Sequence, residues 1–206
     1  MNEVKELNIV LTGVGGQGTI AMSEVLGIAA VIDGFKVRGS EVLGMAQRGG
    51  AVITFLRLGK DVYGPMVPEG KADVMIALEP SEALRNLRFL TKNTIVVVGT
   101  RPIVPPSVSL GLSKYPNVDD VLKKLKELSD FVVPIDPYKL ASEAGDAIAA
   151  NMVMLGALAG TGKLPIKVES LKQAIKERFK GKIVEVNLKA FDLGYNYVKQ
   201  ALASIK

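Results

Sequence analysis

The stretch that most limits how this chain can fold lies near its start, LNIVLTGVGGQGTIAMSEVLGIAAVI. Leu7 to Leu11 is a short apolar run ending at a glycine cluster. From Gln17 to Ile32 the apolar residues Ile20, Val25, Leu26, Ile28 and Ala29 then recur at helical spacing. Strand, tight turn and helix follow one another directly. Further along, Phe35 to Val42 and Ala51 to Leu58 read as strands, and Val74 to Leu78, Thr94 to Val98 and Phe131 to Ile135 are strands of the kind buried on both faces. Asp61 to Val67 reads as an added edge strand or hairpin arm. Helices are expected over Ser81 to Phe89, begun after Pro80, and over Val118 to Leu128, with Asn117 as its cap.

From about Tyr138 the chain is nearly all helical, over Tyr138 to Ala144, Ile148 to Leu158, Ser170 to Phe179 and Val186 to Ala203. Strands alternating with helices imply an α/β, Rossmann-like architecture: a mostly parallel sheet flanked by helices, with a helical C-terminal portion and ligands near the carboxyl ends of the strands. At 206 residues and 48% hydrophobic, 1–206 is read as a single domain with the helices from about residue 138 packed on it. The Pro- and Ser-rich loop from Gly99 to Pro116 is long enough to expect a functional or interfacial role.

Composition narrows the chemistry. The chain has no cysteine and no histidine. Thiolate and imidazole metal sites, iron-sulfur ligation, Cys or Ser-His triads and histidine acid/base catalysis are therefore excluded, and no metal site is expected. The N-terminal MNEVKELNIV lacks the basic start and apolar stretch of a signal peptide, and the apolar run around Asn151 to Gly160 is too short to span a bilayer. A soluble, cytoplasmic protein without membrane association is expected. The net charge of +5 comes largely from lysines in solvated helical patterns, near Lys123 to Lys126 and Lys172 to Lys182, so nucleic-acid binding is not expected.

Two glycine-rich segments carry the candidate chemistry. In GVGGQG, Gly13, Gly15 and Gly18 satisfy G-x-G-x-x-G after a strand and at the mouth of a helix, where backbone amides favour an anion. The same glycines would also serve a helix packed closely on a sheet, so both readings stand. Arg38 lies about 20 residues further on, where an arginine suits a 2'-phosphate. A free-standing NADP-binding reductase therefore remains an alternative, as does a non-enzymatic regulatory nucleotide-binding domain. In GMAQRGG, Arg48 can form two-pronged hydrogen bonds to a phosphate or carboxylate, and Gln47 adds a neutral donor and acceptor. Glu41, Glu69, Asp73, Glu79, Asp136 and Glu143 are the carboxylates weighed for chemistry. Asp73 and Glu79, which flank a strand, read as caps or partners rather than catalysts. Met152 and Met154, with Leu155 and Leu158, read as core.

Together GVGGQG, SEVLGMAQRGGAV, ADVMIALEPSEALR and EAGDAIAANMVMLGALAG resemble the gamma domain of 2-oxoacid:ferredoxin oxidoreductases, in the family's order and from about Asn8 to Tyr195. Within that family the chain is most similar to the small subunits of the indolepyruvate-oxidising group. The resemblance implies a subunit of an enzyme that oxidatively decarboxylates a 2-oxoacid, captures the acyl group on coenzyme A and passes electrons to ferredoxin. It implies that thiamine diphosphate and the iron-sulfur clusters sit on a large partner subunit, that coenzyme A is a co-substrate, and that this chain holds no cofactor tightly and is not active alone.

The resemblance also matches Gly13, Gly15, Gly16, Gln17 and Gly18 to the family's first glycine turn, and Met45, Ala46, Gln47, Arg48, Gly49 and Gly50 to its second motif. Gln47 and Arg48 are the implied contacts to cofactor, substrate or coenzyme A phosphates, with Asn151 next. Aryl pyruvates are the substrates the resemblance favours. Branched-chain 2-oxoacids, pyruvate and 2-oxoglutarate stay open, and so does a homo-oligomer of the isolated chain.

Overall fold

The computed structural model describes residues 4–44, 46 and 48–203. Its elements follow the expected order. Strand β1 (Leu7–Val14) leads into α1 (Thr19–Ile32), then β2 (Lys36–Leu43), β3 (Ala51–Gly59) and β4 (Val74–Ala77). Next come α2 (Pro80–Arg85), β5 (Ile95–Gly99), the four-residue α3 (Pro106–Ser109), α4 (Val118–Leu128) and β6 (Phe131–Ile135). The chain closes with α5 (Pro137–Ala144), α6 (Ala150–Gly160), α7 (Val168–Arg178) and α8 (Lys182–Ala203).

The strands form one sheet in the order β2-β3-β1-β4-β5-β6. β1, β4, β5 and β6 are parallel, whereas β3 is antiparallel to both β1 and β2. The sheet is thus mixed, and the cause is local. Residues 44–50 connect β2 to β3 in too few residues for a crossover, so β3 must turn back along its neighbour. Because β2 again runs with β1, its carboxyl end and the hairpin loop arrive beside the carboxyl end of β1.

Three expectations shift. Asp61 to Val67 is not a strand. Pro65 interrupts the segment and Pro68 ends it, Val62 and Val67 are buried, and the Arg57 guanidinium donates to the carbonyls of Gly64 and Met66. The helix expected over Ser81 to Phe89 breaks at Asn86, whose amide donates to Thr12 Oγ1 and to the Glu82 carbonyl, and resumes as a 3-10 turn over Leu87–Phe89. A 3-10 turn, Ala147–Ala149, also precedes α6.

Each face of the sheet is covered. On one side Ile9, Leu11, Met22, Leu26, Val97 and Phe191 join a core beneath α1 and the C-terminal helices. On the other, Val10, Phe55, Met75, Val96, Val121 and Leu125 pack with Phe89, whose ring meets Phe55 edge-on at 5.3 Å. Met152, Met154, Leu155 and Leu158 are wholly buried, as expected of core residues. No helix among the described residues is long and apolar enough to cross a membrane.

Candidate functional site

Both glycine motifs lie at one end of the sheet and are hydrogen-bonded to each other. The Gly15 amide donates to the Gly50 carbonyl at 2.8 Å, and the Gly49 amide donates to the Gly15 carbonyl at 3.2 Å. Gly16, Gly18 and Gly49 have φ of 104°, 80° and 78°, backbone that side chains with a Cβ rarely adopt. Gly50 is needed for a different reason. A Cβ there would lie 2.7 Å from the Ala46 carbonyl oxygen, so the loop closes only around glycine.

Gln17 folds back beneath this turn. Its Oε1 accepts from the Val14 amide at 2.7 Å, while Nε2 donates to the Leu78 carbonyl at 3.1 Å and to the Tyr138 hydroxyl at 2.9 Å. Both of its N–H groups are engaged, and only 8% of the residue is exposed. Of the residues the sequence offered as ligand contacts, Gln17 is thus a framework residue in this structure: its side chain ties the ends of β1 and β4 to α5, with both amide hydrogens donated. Gly13 leaves room for it, since a Cβ there would sit 2.8 Å from the Gln17 oxygen.

Asn151 is also drawn into the framework. From the first turn of α6, its Nδ2 donates to the Gly18 carbonyl at 3.1 Å and its Oδ1 accepts from the Met152 amide at 2.9 Å. A Cβ on Gly18 would lie 2.5 Å from that amide nitrogen. Arg48, by contrast, is exposed on the hairpin loop. Met45 and Gln47 lie outside the described residues.

Between the two glycine loops opens a cleft of ≈ 500 Å3, with Gly15, Gly16, Gly18, Thr19, Leu43 and Ala46 on its walls and Arg178 at its side. Arg178 is a cleft-lining residue that sequence reasoning missed. It reaches the cleft because α7 runs back along α1. Asp33, just after α1, accepts from the Lys167 amide at 2.6 Å and from Ser170 Oγ at 2.6 Å, fixing the start of α7 there. The far end of α7 then brings Arg178 into an ion pair with Glu24 on α1. The sequence offered a weak signal only, a basic residue in a last helical turn.

Arg38 is placed elsewhere. It stands opposite Arg57 on β3, which stands opposite Asn8 at the beginning of β1. Five residues separate Asn8 from Gly13, roughly 17 Å along a strand. A ribose-reading group belongs at the carboxyl end of its strand, beside the glycine turn. The register therefore removes the NADP reading built on Arg38.

The carboxylates are mostly engaged in structure. Asp73 accepts from the Asn8 amide at 2.7 Å, and burial pushes its pKa up against that bond. Glu79, fully buried, caps α2 by accepting from the Glu82 amide at 3.1 Å. Asp136 caps α5 and pairs with Arg101 at 3.0 Å, and Glu69 pairs with Arg88 at 3.4 Å. Glu41 and Glu143 are exposed. Among the described residues no three acidic groups gather as a metal would require.

A cleft at a sheet's carboxyl edge, lined by glycine backbone and by apolar side chains such as Ile20, Leu43 and Val52, with Arg178 at its margin, suits a partly apolar ligand with an anionic group. Comparison with known proteins places the chain. The family model for pyruvate ferredoxin/flavodoxin oxidoreductase matches residues 8–197. The chain belongs to this family. Indolepyruvate oxidoreductase subunit IorB of Archaeoglobus fulgidus is 48% identical over 92% of this chain and 94% of its own length. The Pyrococcus horikoshii protein of the same name is 47% identical over 97% and 99%. More distant is the common gamma subunit of the pyruvate/ketoisovalerate oxidoreductases of Pyrococcus abyssi, 30% identical over 86% of this chain and 89% of its own.

Solved structures share the fold. The keto/oxoacid ferredoxin oxidoreductase gamma subunit of Geobacter sulfurreducens matches 93% of this chain and 98% of its own, with a TM-score of 0.66 and 24% identity. The 2-oxoglutarate:ferredoxin oxidoreductase of Magnetococcus marinus, solved with 2-oxoglutarate, coenzyme A and succinyl-CoA bound, matches 97% of this chain with a TM-score of 0.74 and 24% identity. This chain spans only 32% of that longer chain.

Proposed function

We propose that this chain is the small, gamma-type subunit of a cytoplasmic 2-oxoacid:ferredoxin oxidoreductase that acts on an aryl 2-oxoacid of the indolepyruvate kind. The reaction is oxidative decarboxylation of the 2-oxoacid to an acyl-CoA, with two electrons passed to ferredoxin. One observation carries the substrate class. Relatives named for indolepyruvate stand at 38–48% identity, three of them at 46–48%, whereas those named for pyruvate or pyruvate and ketoisovalerate stand at 28–30%.

A larger partner subunit holds the thiamine diphosphate and the clusters. A chain without cysteine has no thiolate for a cluster, which supports this division. The cleft between the glycine loops is the part of this subunit that meets the anionic groups of coenzyme A or of the partner's cofactor. Arg178 is the cation at its side, and exposed Arg48, with Gln47 and Met45 beside it in sequence, belongs to the loop that borders it. Gln17 and Asn151 hold the two loops and the start of α1 in place.

The test is reconstitution. This chain, expressed with its larger subunit, is assayed against indolepyruvate, phenylpyruvate, pyruvate, 2-oxoisovalerate and 2-oxoglutarate with coenzyme A and ferredoxin. Aryl pyruvates should give the highest kcat/KM. Preference for pyruvate or 2-oxoglutarate would refute the substrate class, and turnover by the isolated chain would refute the subunit role.

A further inference from the structure

The loop between β5 and α4 is closed on itself by the buried side chain of Glu79. Its two ends meet on one oxygen of Glu79. Oε1 accepts from the Ile103 amide at 3.2 Å and from the Tyr115 hydroxyl in a short bond, and Oε2 accepts from Ser81 Oγ at 2.6 Å. Burial, followed by this carboxylate, pushes the Tyr115 phenol up. Within the loop, the Leu112 amide donates to the Ser107 carbonyl at 2.8 Å, and the Ser107 and Ser113 hydroxyls bond at 2.9 Å. Four prolines, Pro102, Pro105, Pro106 and Pro116, stiffen it further. Such a compact loop with adjoining ends is an Ω-loop.

A buried carboxylate is costly unless fully hydrogen-bonded, and here its bonds fix a loop that covers little itself. Among the polar residues that the loop exposes stand two large apolar side chains: Leu110 is 72% exposed and Leu112 is 78% exposed. We infer that this Ω-loop is a rigid docking knob by which the chain seats on the larger subunit of its oxidoreductase, an inference that rests on the subunit reading above.

Three observations favour that occupant. In the Magnetococcus protein, the part matching this fold belongs to a longer polypeptide, of which this chain spans 32%. The loop shares the carboxyl edge of the sheet with exposed Leu43 and Ile148 and with the glycine loops. Six strands make that edge about 24 Å wide, the breadth of a standard interface. Finally, Arg101 and Lys114 are the only charges from residue 99 to 117, so the complementary surface is an apolar recess rimmed by carboxylates.

The experiment compares assembly of the full chain with its larger subunit, by size-exclusion chromatography and titration. Leu110→Asp with Leu112→Asp should raise Kd by about a hundredfold or more, leaving the circular dichroism and Tm of the isolated chain unchanged. Should that pair fail to fold, Leu110→Ala with Leu112→Ala should still cost about tenfold. Tyr115→Phe keeps both leucines but loosens the clasp, so hydrogen exchange at the Ile103 amide should quicken and affinity should drop severalfold. Folded leucine variants that assemble like wild type would overturn the docking role alone. A wild-type chain that does not assemble would overturn the subunit reading and this inference with it.

Discussion

Glycine is used in opposite ways in two regions of this molecule. At the carboxyl edge of the sheet, Gly16 and Gly49 have open space where a Cβ would go, and their requirement is backbone conformation, φ of 104° and 78°. Between α6 and α8 the glycines are helical, and the requirement is distance. A Cβ on Gly156 would overlap the Phe191 carbonyl, one on Gly194 the Val153 carbonyl, and one on Gly160 would come within 2.6 Å of the Tyr195 oxygen. The first set shapes the two loops that border a cleft; the second brings two helical backbones into contact and leaves no room for anything else. A glycine count alone does not tell a site from a packing seam.

The contrast can be broken most forcefully at the seam. Gly156→Ala should cost more than ~3 kcal/mol, because the added methyl can be placed only by parting two helices. A urea midpoint within error of wild type would show that α6 and α8 do not meet as described. Next in size is Gln17→Ala, which strands the Val14 amide and the Leu78 carbonyl in a buried setting and removes the partner of the half-buried Tyr138 hydroxyl. The expected loss is about 2–4 kcal/mol. A stable Gln17→Ala chain whose assembled enzyme has lost activity would return Gln17 to the ligand-contacting role.

Gly49→Ala should be milder, about 1–2 kcal/mol from left-handed backbone alone. A cost as large as that at Gly156 would mean the loop, too, is tightly packed. Arg48→Ala should sit at the bottom of the stability scale, within about 0.5 kcal/mol of wild type, since the residue is exposed. In the reconstituted enzyme the same variant should lose turnover by about tenfold or more, as for a charge-assisted contact removed. Unchanged kcat and KM would sink its role at the shared site.

The elements themselves were legible in the residues. LNIVL before a glycine cluster, the apolar runs at Val74 and Ile95, and Asn117 before Val118 each state a local preference that packing had no reason to override, and the Asn117 side chain does accept from the Asp119 amide at 2.8 Å. The site was only half legible. GVGGQG and GMAQRGG announce themselves by composition, but their hydrogen bonds to each other depend on β3 returning antiparallel beside β1. Gln17 looked like a donor for a ligand, because nothing in its neighbours in sequence reveals Leu78 and Tyr138. Arg178 was hidden for the same reason.

By itself, then, the sequence determined the kinds of chemistry open to the chain: no thiolate, no imidazole, strands and helices in alternation, and two glycine turns able to approach an anion. Those follow from side-chain inventory and short-range periodicity. Tertiary structure alone decided which polar groups were already taken, that Arg38 stands at the wrong end of its strand, and that the small residues of α6 face α8 rather than another chain. Hydrogen-bond saturation and backbone contact are properties of residues far apart in the chain, fixed only once the sheet has set its register.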